Sequence, residues 1–107
     1  MNPSQFEEKQ REKRQNSQRV IDDFENELVA YQKTFDGATE SIQELMRHYN
    51  LFDNPDVVNE YNHQMDLHDD RLKNARHELA EMNEEHLQLI NKQRRDYENF
   101  IENFSKK

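Results

Sequence analysis

Apolar residues recur along this chain at alternating intervals of three and four positions. The first repeat runs from Ile21 to Phe52, and the second runs from Val58 to Leu89. A repeat of this kind is typical of a coiled-coil seam, because it keeps apolar side chains on one face of an α-helix. Strands are excluded, since their side chains alternate with a period of two, and disorder keeps no such register. The pattern therefore predicts an all-α protein with two long helices.

The stretch between the two repeats reads YNLFDNPDVVNEY and carries the signals of a turn. Asn54 is a favoured N-cap residue, and Pro55 fits the first position of a helix, where its missing N–H is not needed. Pro55 also disfavours the helical conformation at Asn54, so the first helix must end before it. The predicted elements are helix one at about 4–51, a turn at 52–54 and helix two at about 55–104, all within one domain, residues 1–107.

A connection this short makes the two helices antiparallel neighbours, so we expect an antiparallel, coiled-coil-like two-helix hairpin. If the helices fold about the turn, the residue numbers of facing positions add to a constant, and seam positions pair when that constant is 110. Phe35 then faces Ala75, a large–small alternation that favours interlocking layers. The predicted intramolecular seam consists of Ile21, Phe24, Leu28, Tyr31, Phe35, Ala38, Ile42, Leu45, Tyr49, Tyr61, Met65, His68, Leu72, Ala75, Leu79, Met82, His86 and Leu89. Because one narrow seam stabilises a hairpin only marginally, we expect oligomerisation or a partner's helices to complete the fold.

Toward the chain ends the two sides of the seam become unequal. Helix one continues with Gln10, Arg14 and Ser17, whereas helix two keeps large apolar side chains. We expect those side chains to lack an adequate partner within the chain and to bind another helical protein. The predicted partner-binding set is Ile90, Tyr97, Phe100, Ile101 and Phe104.

Composition and charge narrow the classes of protein further. Of 107 residues, 36% are charged and 32% hydrophobic, cysteine is absent, and the net charge is −8. Residues 21–70 hold the acidic excess, which argues against nucleic acid as a partner, since phosphate contacts need clustered Lys and Arg. No apolar run approaches the length of a membrane span or a signal-peptide core, so we expect a cytoplasmic protein without membrane insertion. Export in a complex, without a cleaved signal peptide, is the alternative.

Histidines and carboxylates raise the question of a metal site. Glu60 and His63 have the Glu-x-x-His spacing of di-iron bundles, but the heptad frame places both on the outer face, whereas such ligands point inward. We therefore expect no metal and no cofactor. His68 and His86 fall on the seam; the favoured interpretation is a polar residue that sets the register, and the sharper alternative is a pH-responsive seam. No catalytic residue is assigned and no enzyme activity is expected, because no nucleophile–base–acid arrangement or glycine-rich loop occurs.

The hairpin, the length and the absence of cysteine resemble the WXG-type small proteins of bacterial type VII secretion. More particularly, the chain resembles the α-helical proteins encoded beside LXG toxins. This resemblance implies a targeting factor or chaperone that binds the toxin's helical N-terminal region, alongside a signal-bearing small helical partner. The segment Leu51 to Pro55 occupies the place of the Trp-x-Gly turn, and the aromatic-x-x-x-acid export signal is missing after helix two. Both departures suit an accessory member of the system.

A structural coiled coil is the competing interpretation. In that case the chain is a homo-oligomeric scaffold or a phage-type assembly protein, and its partner is a second copy of itself. The gene neighbourhood separates the two, because a toxin gene with a long helical N-terminus beside this one favours secretion.

Overall fold

The computed structural model describes residues 1–106, which form two long α-helices joined by a short turn. Helix α1 spans Pro3–His48, a single 3₁₀ turn spans Leu51–Asp53, and helix α2 spans Pro55–Ser105. The described chain contains no strand, and the helices run antiparallel. The prediction of an all-α, two-helix hairpin is therefore confirmed.

Asparagine side chains cap the start of both helices. At α1, the Gln5 N–H donates to Asn2 Oδ1 at 2.9 Å, and the Asn2 N–H donates to Gln5 Oε1 at 3.1 Å. This reciprocal pair satisfies two backbone donors, as in a capping box. At α2, Asn54 Oδ1 accepts the N–H groups of Asp56 and Val57 at 3.1 and 3.3 Å, so the predicted N-cap is confirmed.

The turn begins earlier than the pattern predicts, because α1 ends at His48 and not near Leu51. Asn50 adopts the left-handed conformation, with φ 56° and ψ 36°, which asparagine tolerates better than most residues and which stops the helix. The Asn54 N–H then donates to the Leu51 carbonyl at 3.0 Å and closes the 3₁₀ turn. As a consequence, the chain reverses direction several residues earlier than expected.

The described residues group into two compact units. The terminal unit combines Met1–Phe24 with α2 from Leu79 onward, and the turn unit consists of Glu25–Glu78. Each unit pairs a segment of α1 with a segment of α2, whereas the heptad pattern predicts one domain. The two units are therefore described separately.

In the terminal unit, facing residues differ from the predicted register by one heptad. His86 Nδ1 lies 2.8 Å from Ser17 Oγ, and the Gln10 amide donates to the Gln93 carbonyl at 2.8 Å. The residue numbers of both pairs add to 103, whereas the predicted constant of 110 pairs His86 with Phe24. The predicted pairing is wrong, although the helices that it pairs and their direction are right.

The turn unit shows the same shift. The Phe35 and His68 rings stack with centroids 3.4 Å apart, and Gln43 Nε2 donates to the Tyr61 hydroxyl at 2.8 Å. Phe35 therefore does not pair with Ala75 as predicted. A shift by seven residues keeps seam positions opposite one another, so a heptad pattern is compatible with either register. The earlier end of α1 selects the observed one.

On α1, the buried face of the turn unit departs from the heptad pattern. The inward positions are Leu28, Gln32, Phe35, Thr39, Gln43 and Met46. These positions follow an 11-residue repeat, which a nearly straight helix favours, whereas a seven-residue repeat requires a left-handed supercoil. The structure exposes five residues that the pattern places in the seam: Tyr31, Ala38, Ile42, Leu45 and Tyr49. The remaining predicted seam residues are at least partly buried.

Candidate functional site

Each unit contains one buried apolar and one buried polar residue. In the terminal unit these are Ile21, 2% exposed, and Gln93, 5% exposed; in the turn unit they are Met46, 2% exposed, and His68, 3% exposed. Half of the fully buried set in the described chain is therefore polar. A seam of this composition contributes less hydrophobic stabilisation than an apolar coiled coil of equal length.

Gln93 is the centre of a hydrogen-bonded layer in the terminal unit. Its amide donates to the Gln10 carbonyl at 2.9 Å, and the Gln10 amide donates to the Gln93 carbonyl at 2.8 Å. Arg14 Nη1 donates to Gln93 Oε1 at 3.0 Å. The polar residues that the sequence placed opposite an apolar face thus satisfy one another within the hairpin.

Phe6 covers part of the predicted partner-binding set. Its ring stacks on Phe100 with centroids 4.3 Å apart and lies 6.3 Å from the ring of Tyr97. The expectation that these aromatics lack a partner within the chain is therefore wrong, although their role in binding stays a prediction. Of the predicted set, Tyr97, Phe100 and Ile101 are partly buried, and Ile90 and Phe104 are exposed.

A shallow groove of about 620 Å³ in the terminal unit carries charges of both signs. Arg11 hydrogen-bonds Glu8 and holds the pKa of that carboxyl below its ordinary value. A hydrogen bond with Glu7 raises the pKa of the Tyr97 phenol, since the neutral phenol donates to the carboxylate and ionisation removes that donor. With carboxylates beside its arginines, the groove presents no concentrated charge of one sign to a ligand.

His68 makes three side-chain contacts with α1 in the turn unit. Its Nδ1 lies 3.2 Å from the Tyr31 hydroxyl, its Nε2 lies 3.2 Å from Gln32 Oε1, and its ring stacks on Phe35. A neutral imidazole satisfies this geometry when Nε2–H donates to Gln32 and Nδ1 accepts from Tyr31. The contacts therefore suit the interpretation of His68 as a polar seam residue that sets the register.

The turn unit presents to solvent apolar side chains from the last turns of α1 and from Tyr49, the residue that follows α1. Ile42, Leu45 and Tyr49 are 46%, 55% and 65% exposed, whereas the polar residues Thr39 and Gln43 lie inward. Such a stripe is unusual on the surface of a monomeric protein and is typical of interaction sites. The sequence pattern places these three residues on one face of the helix, but it assigns that face to the intramolecular seam.

The residues considered for a metal site lie apart from both seams. Glu60 and His63 are exposed, and Glu60 Oε1 accepts a hydrogen bond from Gln64 at 2.9 Å. Across residues 1–106, no three His, Asp or Glu side chains converge in the manner of metal ligands. Neither described helix contains a segment that is long and apolar enough to cross a membrane.

Comparison with known proteins adds no relative: no family model, curated protein or solved structure matches the chain. The fold defines a two-helix antiparallel hairpin with a polar seam and an apolar outer stripe. Any assignment of function therefore depends on this geometry and on the architectural resemblance.

Proposed function

We propose that this protein works by helix-to-helix association, as an accessory factor that binds other helical proteins. The observation that carries this proposal is that polar side chains are buried in the seam while large apolar side chains face solvent. The seam buries Gln93 and His68, whereas Leu45 and Leu87 are each more than half exposed. Further helices that pack on the outer faces would bury the exposed apolar side chains, as in a four-helix bundle.

The more specific form of the proposal is a targeting factor or chaperone for the helical N-terminal region of a type VII secreted toxin. Its support is the resemblance of the hairpin, its length and its lack of cysteine to the helical proteins encoded beside LXG toxins. Such a toxin region offers the amphipathic helices that this hairpin needs. The segment Leu51 to Pro55, which stands in place of the Trp-x-Gly turn, fits an accessory member of such a system.

A homo-oligomeric scaffold, including a phage-type assembly protein, is the second candidate. The observation in its favour is the composition of the exposed side of α1 in the turn unit. Thr34, Ala38 and Ser41 are small and uncharged there, and all are exposed. Small residues allow two helices to approach closely, so this side suits packing against another helix.

Co-expression with the products of neighbouring genes tests the proposal. The first variant combines Ile90→Glu with Phe104→Glu, at the two exposed members of the predicted binding set. Its matched control combines Asn91→Glu with Asn103→Glu, which adds the same charge at exposed polar positions nearby. We expect a long helical partner to copurify with the natural chain and with the control, and the apolar variant to retain about tenfold less of it.

Light scattering on the same samples separates the outcomes. A heteromeric complex that depends on Ile90 and Phe104 supports the accessory factor, and a homo-oligomer without any neighbouring partner supports the scaffold. A monomer that binds none of its neighbours contradicts association altogether.

A further inference from the structure

Helix α1 has a second uncharged side in the turn unit, next to the side that packs on α2. Successive residues turn by about 100°, so the exposed uncharged positions between 31 and 45 fall on one arc. Tyr31 lies at the border of the two sides, where its hydroxyl also contacts His68. This arc, the outer face, consists of Tyr31, Thr34, Ala38, Ser41, Ile42 and Leu45. All six residues are exposed and none is charged.

Gly37 lies at the edge of the outer face, and the hairpin gives no reason for it. A Cβ atom added at Gly37 meets nothing within 4 Å, and its φ is not positive. A glycine inside a helix costs about 1 kcal/mol relative to alanine. Close approach of another backbone is a reason to keep a residue without a side chain, and Ala38 and Ser41 beside it are also small.

We propose that the outer face is a homodimer interface, in which α1 packs antiparallel to α1 of a second copy, with the two Ala38 residues at the twofold axis. The inference deepens the proposed association function and rests on it. Facing positions then add to 76, so Tyr31 faces Leu45 of the second copy and Thr34 faces Ile42 of the second copy. The smallest side chains lie at the crossing point and the large ones lie at both ends, which allows the helices to approach and interlock.

Charges along the rim favour a second copy in this orientation. Lys33 and Glu44 border the same edge of the outer face, and about the same axis Lys33 of each copy lies beside Glu44 of the other. In an antiparallel pair of α1 helices, the edge that carries Lys33 and Glu44 lies against the same edge of the second copy, so both ion pairs form. In a parallel pair, this edge lies against the opposite edge of the second copy, and neither ion pair forms. The turn unit carries 12 acidic and 5 basic residues, so two copies repel each other overall, and the two ion pairs offset part of that repulsion in the antiparallel orientation.

Single-cysteine variants test the geometry directly, because the chain has no cysteine of its own. Ala38→Cys places two thiols at the twofold axis and should form a disulfide-linked dimer under mild oxidation. Glu40→Cys, on the exposed and charged side of the same helix, should remain largely unlinked. Equal cross-linking of the two variants would contradict the proposed axis.

Charge reversal tests the rim. Lys33→Glu and Glu44→Lys, each alone, should weaken the dimer about tenfold in sedimentation equilibrium, because each creates two like-charge contacts. The combined Lys33→Glu/Glu44→Lys variant should restore the natural dissociation constant. If the two effects add instead of cancelling, the proposed orientation is wrong.

Ala38→Glu distinguishes this inference from the broader proposal. Position 38 is exposed in the hairpin, so helicity measured by circular dichroism should be unchanged while the dimer is lost. A monomeric natural chain, or a variant that dimerises as before, overturns the homodimer. If the chain still captures a neighbouring helical protein in that case, the proposed association function stands without the homodimer. If it captures nothing, the association function and the homodimer both fail.

Discussion

The terminal unit and the turn unit follow the same plan but differ in how their seams are filled and in their charge. In the terminal unit, Phe6 stacks on Phe100, and the polar layer around Gln93 fills the seam. In the turn unit, Leu45 and Tyr49 face solvent. Charge differs in parallel: the sequence of the terminal unit contains 11 acidic and 10 basic residues, against 12 and 5 in the turn unit. Both units therefore leave apolar surface for a partner to bury, since Leu87 and Phe104 of the terminal unit are also exposed, and the two units differ chiefly in how their seams are filled and in their charge.

The largest predicted effect concerns the apolar residue at the centre of the terminal unit. Ile21→Asp should lower the free energy of unfolding by about 4 kcal/mol, because it buries a carboxylate without a partner. The matched control is Val20→Asp, at a neighbouring position that is 58% exposed, where we expect less than about 0.5 kcal/mol. Urea denaturation followed by circular dichroism measures both. Equal losses would mean that both residues are buried.

The aromatic stack of the terminal unit should give the next largest effect. Phe6→Ala removes a half-buried ring from between the two helices and should cost about 2 kcal/mol. Hydrogen exchange should show the loss as faster exchange in residues 1–24. Phe104→Ala removes a ring that is 48% exposed and lies 6.0 Å from the Phe100 ring, so it should cost less and serves as the comparison. A Phe6→Ala variant with unchanged exchange would show that the terminal unit does not depend on this stack.

In the turn unit, the isolated hairpin should tolerate a side chain at Gly37. Gly37→Ala should raise the free energy of unfolding of the monomer by about 1 kcal/mol, because a Cβ fits without contact and alanine favours the helix. Ala38→Gly, at the next position, should lower it by a similar amount. Thermal unfolding at low protein concentration measures both changes. A destabilising Gly37→Ala would mean that the space around this residue is already occupied in the monomer.

The smallest effect is a local titration in the terminal unit. Since the folded state raises the pKa of Tyr97, the protonated phenol is favoured there. Its contribution to stability is present below the ordinary tyrosine value near 10 and is lost as the pH rises through the folded pKa. Glu7→Gln should return the Tyr97 pKa toward its ordinary value in an NMR titration. An unchanged Tyr97 pKa in the Glu7→Gln variant would mean that Glu7 does not hydrogen-bond the phenol.

The sequence predicts the fold better than the register. Asn54 and Pro55 mark the start of α2, because capping depends on local chemistry. A heptad pattern cannot separate registers that differ by seven residues, and the left-handed Asn50 that decides between them carries only a weak signal. The signal for the polar layer was present in the sequence, since Gln10 and Gln93 are both polar residues at heptad-spaced positions.

The candidate site could be recognised only in part. On α2, the predicted seam residues from Tyr61 to Leu89 all lie at least partly inward, because that segment keeps its seven-residue repeat. On α1 after Leu28, the apolar residues keep a seven-residue repeat, whereas the buried residues follow an 11-residue repeat. The two patterns diverge because the buried face of a straighter helix rotates relative to a heptad stripe. That separation creates the exposed stripe, and it depends on how the helices pack.

The register in the turn unit is the claim on which the exposed stripe depends, and paired cysteines test it most directly. Phe35→Cys combined with His68→Cys joins positions whose rings now stack, and Phe35→Cys combined with Ala75→Cys joins the positions that the heptad pattern pairs. At low concentration, non-reducing electrophoresis with mass spectrometry should show an intramolecular disulfide in the first variant and not in the second. Preferential closure of the Phe35–Ala75 pair would contradict the observed register and return Ile42, Leu45 and Tyr49 to the seam.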